Sequence, residues 1–426
     1  MYTKIVRYLF TILMLAGGMA AGNRAQAQMA SADTLRLSLK DAESRFLQNN
    51  LQLLIQKYNV SSAQAQIITA KLFPNPDFNF SNGIHATQVS NAAAQQSMNL
   101  SQVIQTAGKR NKNIQLAQIE AQQANYQFFD LLRTLRYTLR NDFYSIYFQE
   151  QSARVYTEEI SSLGRTLGVF KRQLASGNIA QKEVLRIQSQ LYSLQGEYNN
   201  LLTSIDTTQS EFKLLIRANP NTYIVPLYDF DTDKESVSAV PYQQMLDSAI
   251  INRYDLKAAQ SQVQYSDVNL RLQKALAVPD FSLGVSYDKL GSYGNNFIGA
   301  GIEFNLPFFN RNQGGIKQAR IAVDQSRVQL QAQQGVIQTQ VATNYQLALR
   351  LETLYNGFDT GFKQDFNRLI KGVFENYQKR NISLLEFLDF YDAYKNTTVQ
   401  LNNIQLNKVS SLEQLNYVTG TPFFNK

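Results

Sequence analysis

Two carboxylates three residues apart, Glu386 and Asp389, are the sharpest chemical feature of the sequence. On a helix that spacing sets both on one face. Acids held close together raise one another's pKa and attract cations, so the pair could sense charge moving past it. An ordinary solvated helix face carries such a pair just as readily. The two acids follow a tight-turn pattern at 377–383, centred on Asn381-Ile382. A matching pattern at 174–180 holds Gly177, Asn178 and Ile179 and is followed by Glu183. Lys379 and Arg380 of the later turn are candidate partners for Glu183 in a latch between the turns. An exposed pair of that kind is worth only ~0–1 kcal/mol, and unpaired surface charges are the plain alternative.

Little else could do chemistry. Cysteine is absent, which excludes disulfides, zinc–thiolate sites, a cysteine nucleophile and a lipid-bearing cysteine. His85 is the sole histidine, and a metal site needs three or four ligands, so no metal or other cofactor is expected. Gly314-Gly315 precedes a helical pattern, but no lysine–serine pair follows, so it reads as a strand-to-helix turn rather than a phosphate cradle. No nucleophile–base–acid set is present, and the chain does not read as an enzyme.

The elements that hold the turns are long helices. Helical patterns run from Leu37 to about Leu72, from about Asn113 to Leu174, and from Gln181 to about Arg217. In the last of these, Val184, Ile187, Leu191, Leu194, Tyr198, Leu201, Ile205, Thr208, Phe212 and Leu215 alternate steps of three and four. That 3.5-residue period keeps a seam facing a partner helix, as in a coiled coil. The pattern then restarts. Leu53 and Leu256, Pro76-Asp77-Phe78 and Pro279-Asp280-Phe281, Asn178-Ile179 and Asn381-Ile382, and Glu183 and Glu386 all differ by 203, while Ile114 and Ile316 differ by 202. One offset held across helix, strand and turn argues for two tandem repeats. Each repeat is helix, strand, strand, very long helix, tight turn, helix. The first occupies 28–217 and the second 242–417. An irregular Pro- and Asp-containing connector at 218–241 joins them, and 418–426 forms a tail.

The 426 residues carry a formal charge of +8, with no basic stripe that would suit nucleic acid. Lys4, Arg7 and Arg24, all ahead of Gln28, supply three of those positives. Lys4 and Arg7, the apolar run Tyr8 to Ala21 and the small-x-small Ala25-Gln26-Ala27 read as a removable secretory signal at 1–27. No other stretch is apolar enough for a transmembrane helix.

The strands pose a problem that bears on function. Apolar and polar residues alternate at about 77–86, 96–104, 280–288 and 297–306. Four strands are too few to close a barrel, and isolated hairpins are marginal in water. Several copies could each give four strands to one closed barrel, apolar outside and polar inside. Leu283, Val285, Ile298, Ala300 and Ile302 would then face lipid, and Ser282, Gly284, Ser286, Gly301 and Glu303 the lumen. Phe78, Tyr287, Tyr293, Phe297, Phe308 and Phe309 near strand ends suit an aromatic girdle.

At this point the chain resembles the TolC family of outer-membrane efflux and secretion channels. The resemblance rests on the signal, the tandem repeat, the Pro-Asn-Pro-Asp-Phe that leads into the first strand pair, and Phe304-Asn305-Leu306-Pro307-Phe308-Phe309-Asn310-Arg311-Asn312-Gln313-Gly314-Gly315, which leaves the second. The stretch from Leu306 is similar to outer-membrane components of heavy-metal RND-type systems. The resemblance implies a homotrimer with a shared 12-stranded barrel in outer-membrane lipid, continued into the periplasm as a long α-helical coiled-coil barrel. It implies that 218–241 and the tail lie in an equatorial belt. It also implies that the turns are hairpin tips at the periplasmic entrance, where Gly177, Asn178, Ile179, Asn381 and Ile382 meet an adaptor (membrane fusion) protein. Glu386 and Asp389, in three copies, would form an acidic ring there. The function implied is a passive exit duct of a tripartite efflux pump, RND-type, for metal ions or small toxic compounds. Two alternatives stay open: a duct serving an ABC-type protein secretion pump, and an exported coiled-coil scaffold.

Overall fold

The computed structural model describes residues 33–84, 95–228, 235–291, 294–358, 361–379 and 381–425. The signal at 1–27, His85, Tyr293 and Arg380 lie outside those residues.

Two long helical hairpins carry the rest. α3 (Lys109–Ala175) is 67 residues long, about 100 Å at 1.5 Å per residue. α4 (Gln181–Ile216) folds back along it. The seam that the heptad foretold is formed: Val184, Ile187, Leu191, Leu194, Ile205 and Phe212 are buried, several of them against Leu163, Leu167 and Phe170 of α3. In the second half, α7 (Gln313–Asn356) and α8 (Phe362–Gln378) descend to the turn and α9 (Leu384–Thr419) returns. The sequence pattern reads α7 and α8 as one helix, but the structure ends α7 at Asn356. Glycines at 357 and 361 sit where a helix would have to continue, and glycine is a poor helix former. α9 takes in Val418 and Thr419, so the tail starts two residues later than expected.

The opening helix needs a larger correction. Thr34–Ser38 is a strand, β1, followed by α1 (Leu39–Asn49) and α2 (Leu51–Lys71). The connector is less irregular than expected. It holds strand β4 (Tyr223–Leu227) and a 3-10 turn, Val237–Ala239. β1 and β4 pair in parallel, Leu35 against Ile224. The two strands lie far apart in the sequence, so no local pattern announces the pairing. Ile224 is buried, and the buried Gln209 side chain stands in for a missing strand: its Nε2 donates to the Ile224 carbonyl at 2.6 Å and its Oε1 accepts from the Ile224 N–H at 3.1 Å.

The break after α1 has a counterpart in the second half of the chain. α5 (Tyr242–Asn252) gives way to α6 (Tyr254–Leu276) at Arg253, as α1 gives way to α2 at Asn50. Asn50 accepts from the Leu53 N–H at 3.0 Å, an N-cap for α2, and its Nδ2 donates to the Leu215 carbonyl at 3.0 Å. Arg253 donates to the Val418 carbonyl at 3.2 Å. Each break therefore seals the C-terminus of a returning helix, whose last carbonyls lack intrahelical donors. Leu37, Phe46, Phe143, Phe212 and Ile224 form the core at this level in the first half, and Met245, Leu256, Ile337 and Leu412 in the second.

At the far end, β2 (Asp77–Asn82), β3 (Gln96–Ile104), β5 (Phe281–Gly291) and β6 (Gly294–Phe304) make one antiparallel sheet in the order β2-β3-β5-β6. The described part of β2 stops at Asn82, short of the expected 86. β5 runs three residues past 288, and β6 begins and ends earlier than expected.

Candidate functional site

The sheet registers sort its side chains cleanly by chemistry. Phe78 faces Leu100, Leu100 faces Val285, Leu283 faces Ile302, and Val285 faces Ala300. Alternation puts all of these on one face. Asn79 faces Asn99, Asn99 faces Ser286, Ser101 faces Gly284, and Ser282 faces Glu303 on the other. The five apolar and five polar residues expected to part company in the second hairpin do so. The apolar face is bare: Val285 is 53% exposed, Ile302 66% and Ile298 76%. The polar face lines a hollow of about 580 Å³ bordered mainly by Ser97, Asn99, Ser101, Ser282, Ser286, Asp288 and Glu303. In a water-soluble protein the apolar face would be covered. No helix among the described residues is long and apolar enough to cross a membrane.

An ion pair between a buried lysine and a half-buried aspartate fixes the sheet to the helices. Lys109, at the start of α3, is 5% exposed, and its Nζ lies 2.7 Å from Asp280 Oδ1 and donates to the Val278 carbonyl at 2.7 Å. Asp280 also accepts the Thr106 N–H at 2.7 Å. The turn leaving β3 is thus tied to the turn entering β5. Phe308 and Phe309 are exposed, and the Arg110 guanidinium lies 4.0 Å over the exposed Phe73 ring.

The tips lie at the other end. Gly177 has φ +72°, a left-handed conformation that suits glycine, and the Asn178 N–H returns to the Gln173 carbonyl at 2.9 Å. At the second tip Asn381, the counterpart of Asn178, repeats the bond: its N–H returns to the Asn376 carbonyl at 2.9 Å. Ile179 and Ile382 pack on one core that draws from both tips, with Phe170, Val184, Val373 and Phe387. The tips are therefore held together, and these isoleucines serve packing first.

Glu386 has a local task that the sequence reading missed. It occupies the third position of α9 and closes a capping box: its Oε2 accepts from the Ser383 N–H and hydroxyl, both at 2.8 Å, while its own N–H donates to Ser383 Oγ at 3.2 Å. Those bonds hold its carboxyl below the usual range. The motif Ser383-x-x-Glu386 was there to be read. Asp389 is exposed one turn on. Glu183 is half-buried and faces Tyr377, whose hydroxyl pKa is raised by burial and then by the Glu183 charge. Lys379 is exposed, and among the described residues no ion pair joins it to Glu183 within one chain.

A charge cluster lies midway along the hairpins. Lys395 of α9 is 4% exposed, and its Nζ is 2.8 Å from Glu197 Oε2 on α4 and 3.3 Å from Asp392. Tyr156 donates to Glu197 at 3.2 Å. Glu159 of α3 is also 4% exposed, and one of its oxygens has no hydrogen-bond partner. Burial pushes its carboxyl up to about 8; the Lys395 charge opposes this, and Asp392 and Glu197 add to it. A signal existed here too. Phe387, Tyr391, Lys395, Thr398 and Asn402 step by three and four along the inward stripe of α9, which places a lysine where a core residue is due. Among the described residues no group of acids, histidines and cysteines is arranged to hold a metal ion. The arrangement can seat charge; among the described residues nothing in it brings a nucleophile to a base.

Comparison with known proteins agrees with that picture. The model of a family described as outer membrane efflux protein matches this chain twice, over residues 43–216 and 245–421. The cobalt-zinc-cadmium resistance protein CzcC of Cupriavidus metallidurans is 20% identical over 333 residues, covering 76% of this chain and 78% of CzcC. Among solved structures, the CmeC outer-membrane channel of Campylobacter jejuni superposes with a TM-score of 0.71 at 15% identity, over 91% of this chain and 87% of CmeC. CusC superposes with a TM-score of 0.71 at 16% identity, over 92% of this chain and 94% of that one. A family match that falls once on each half, on a fold shared with such channels, makes this chain a member of the outer membrane efflux protein family, the TolC-type efflux channels of the outer membrane.

Proposed function

We propose that three copies of this chain form a passive duct, with a 12-stranded barrel in the outer membrane and a helical tunnel below it. The observation that carries the reading is the four-stranded sheet, apolar on one bare face and polar on the other, with both edge strands unpaired among the described residues. Such a sheet is stable only where lipid meets the first face, water the second, and other strands the edges. The duct would serve as the exit of a tripartite pump, joined through a periplasmic adaptor to an inner-membrane pump of the RND type. Gly177, Asn178, Ile179, Asn381 and Ile382 mark the tips that would meet the adaptor. The similarity to CzcC, a cobalt-zinc-cadmium resistance protein, favours metal ions or small toxic compounds as cargo. Energy for transport would come from the pump.

Charge at the entrance would then set selectivity. Glu386 and Asp389, repeated three times, would present six carboxylates to one axis. Glu183 could still engage Lys379 or Arg380 of an adjacent copy and hold the entrance shut. Outer-membrane fractionation with amine-reactive crosslinking tests the duct, and a band at three times the chain mass is expected. A monomer recovered without detergent would end the reading. For cargo, a deletion strain should become more sensitive to cobalt, zinc or cadmium and regain resistance with the gene supplied back; unchanged sensitivity would remove the metal assignment.

A further inference from the structure

All four strands of the sheet meet the helices at one end. Ile104, Phe281 and Phe304 stand side by side there, and β2 begins at the same end with Asp77. The four junctions, 71–77, 105–113, 274–280 and 305–317, hold seven cations: Lys71, Lys109, Arg110, Lys112, Lys274, Arg311 and Lys317. Against them stand two carboxylates, Asp77 and Asp280. The resulting net +5 equals the charge of the whole chain once the three positives ahead of Gln28 are set aside from +8. The remainder is neutral overall, and its excess charge is gathered in this one band.

Ion pairing and helix dipoles leave most of that charge unexplained. Lys109 is paired with Asp280, and among the described residues none of the other six cations meets a carboxylate. Lys71 and Lys274 lie in the last turns of α2 and α6, where a cation suits the helix dipole. Arg110 and Lys112 lie in the first turn of α3, and Arg311 lies just ahead of α7, where a cation opposes it. Neither of those helices carries an acid in its first turn.

The band also borders bare apolar surface. Phe73 is 71% exposed and Phe309 95%, and their neighbours Leu72 and Phe308 are exposed too. One contact joins the two chemistries. The Arg110 guanidinium lies 4.0 Å over the Phe73 ring, while its Nε and Nη2 donate to the Lys71 carbonyl at 3.0 and 2.6 Å. Its Nη1 has no partner among the described residues. We propose that this band is a collar for the phosphates of anionic phospholipids, with Lys71, Arg110, Lys274 and Arg311 meeting the headgroups and Phe73, Phe308 and Phe309 entering the adjoining apolar layer. It rests on the membrane barrel proposed above and names the lipid at the rim from which the helices leave. Long basic side chains lay their stems along apolar surface while their heads reach polar groups. Cations clustered beside an apolar segment favour acidic over zwitterionic lipid. Water alone would leave the rings bare, and a zwitterionic lipid would leave the charge unmatched.

The test uses the full-length protein extracted in detergent, with dioleoyl phosphatidylglycerol and dioleoyl phosphatidylcholine as probes and bound lipids counted by native mass spectrometry. Phosphatidylglycerol should bind on the order of tenfold more tightly at low salt, and the ratio should fall towards one at high salt, which screens such contacts. Lys71→Gln with Arg110→Gln, Lys274→Gln and Arg311→Gln should abolish the preference. Removing as much charge near the tips, by Lys171→Gln with Arg172→Gln, Lys182→Gln and Arg186→Gln, should leave it intact. If the fourfold collar variant does not assemble, Arg110→Gln and Lys274→Gln singly decide: each should lower the ratio, and unchanged ratios in both overturn the collar. Equal binding of the two lipids by the natural protein overturns it as well, as does a preference lost only in the tip variant. Those results, with the protein still recovered from outer membranes, leave the barrel standing. A protein that stays in solution without detergent and takes up neither lipid brings down the membrane reading too.

Discussion

Raising the pH should loosen the middle of the helical hairpins, and Glu159 should be the reason. Its carboxyl is pushed up to about 8 by burial between α3, α4 and α9, against ~4.3 for an unperturbed glutamate. A raised folded-state value means that stability is fully present below about pH 4.5 and is lost as pH climbs towards 8. Each tenfold change in proton affinity is worth ~1.4 kcal/mol, so the full difference sets a ceiling of about 5 kcal/mol at pH 9. Water reaching the ionised group would reduce this to a few kcal/mol. Glu159→Gln keeps the shape and removes the titration. The variant should match the natural chain at pH 4.5 and unfold several degrees higher at pH 9, read as loss of helical circular dichroism on heating detergent-solubilised protein. Hydrogen exchange in peptides spanning Glu159 and Lys395 should show the same crossover locally. Parallel pH profiles for the two proteins would refute the argument, and so would a Gln variant that is less stable at pH 9.

Three further outcomes follow from the geometry. Glu386→Gln with Asp389→Asn removes both charges while a glutamine can still close the capping box; single-channel conductance should rise and block by divalent cations should weaken, and unchanged conductance would remove the acidic ring. Gln209→Ala leaves the buried N–H and carbonyl of Ile224 without their side-chain partner and should cost about 2–4 kcal/mol, measured as a fall in unfolding temperature; a neutral result would mean that β4 finds other partners. Lys395→Met leaves Glu197 and Asp392 facing a buried apolar side chain and should destabilise the chain by roughly 1–3 kcal/mol at pH 8, with a smaller penalty at pH 5; an equal penalty at both would deny the coupling to Glu159.

Much of the architecture was legible because it is periodic. Alternation placed Leu283, Val285 and Ile302 on one face of the sheet, and the heptad from Val184 to Leu215 marked the buried seam of α4. The offset of 203 paired Asn178 with Asn381, and the structure gives the two the same return hydrogen bond at the tips. What stayed hidden depends on distant partners. Leu-Gln-Asn-Asn-Leu around Asn50 has the look of continuous helix, and only the Leu215 carbonyl explains the break. The parallel pairing of β1 with β4 joins segments whose local patterns are weak and far apart. Glu159, Glu197 and Lys395 come from three helices, so no spacing in the sequence joins them. Glu386 shows the opposite failure. Its capping motif is local and readable, and only the acid's other role, as a charge at the entrance, drew attention away from it.

The central claim is that the sheet is one third of a barrel with lipid on its apolar face and water on its polar face. Single cysteines at Ser282, Ser286 and Glu303, and at Leu283, Val285 and Ile302, can be exposed in intact outer membranes to a small membrane-impermeant thiol reagent. The account predicts that the first three are modified quickly and the second three are spared. The reverse pattern, or equal labelling of both sets, would contradict it.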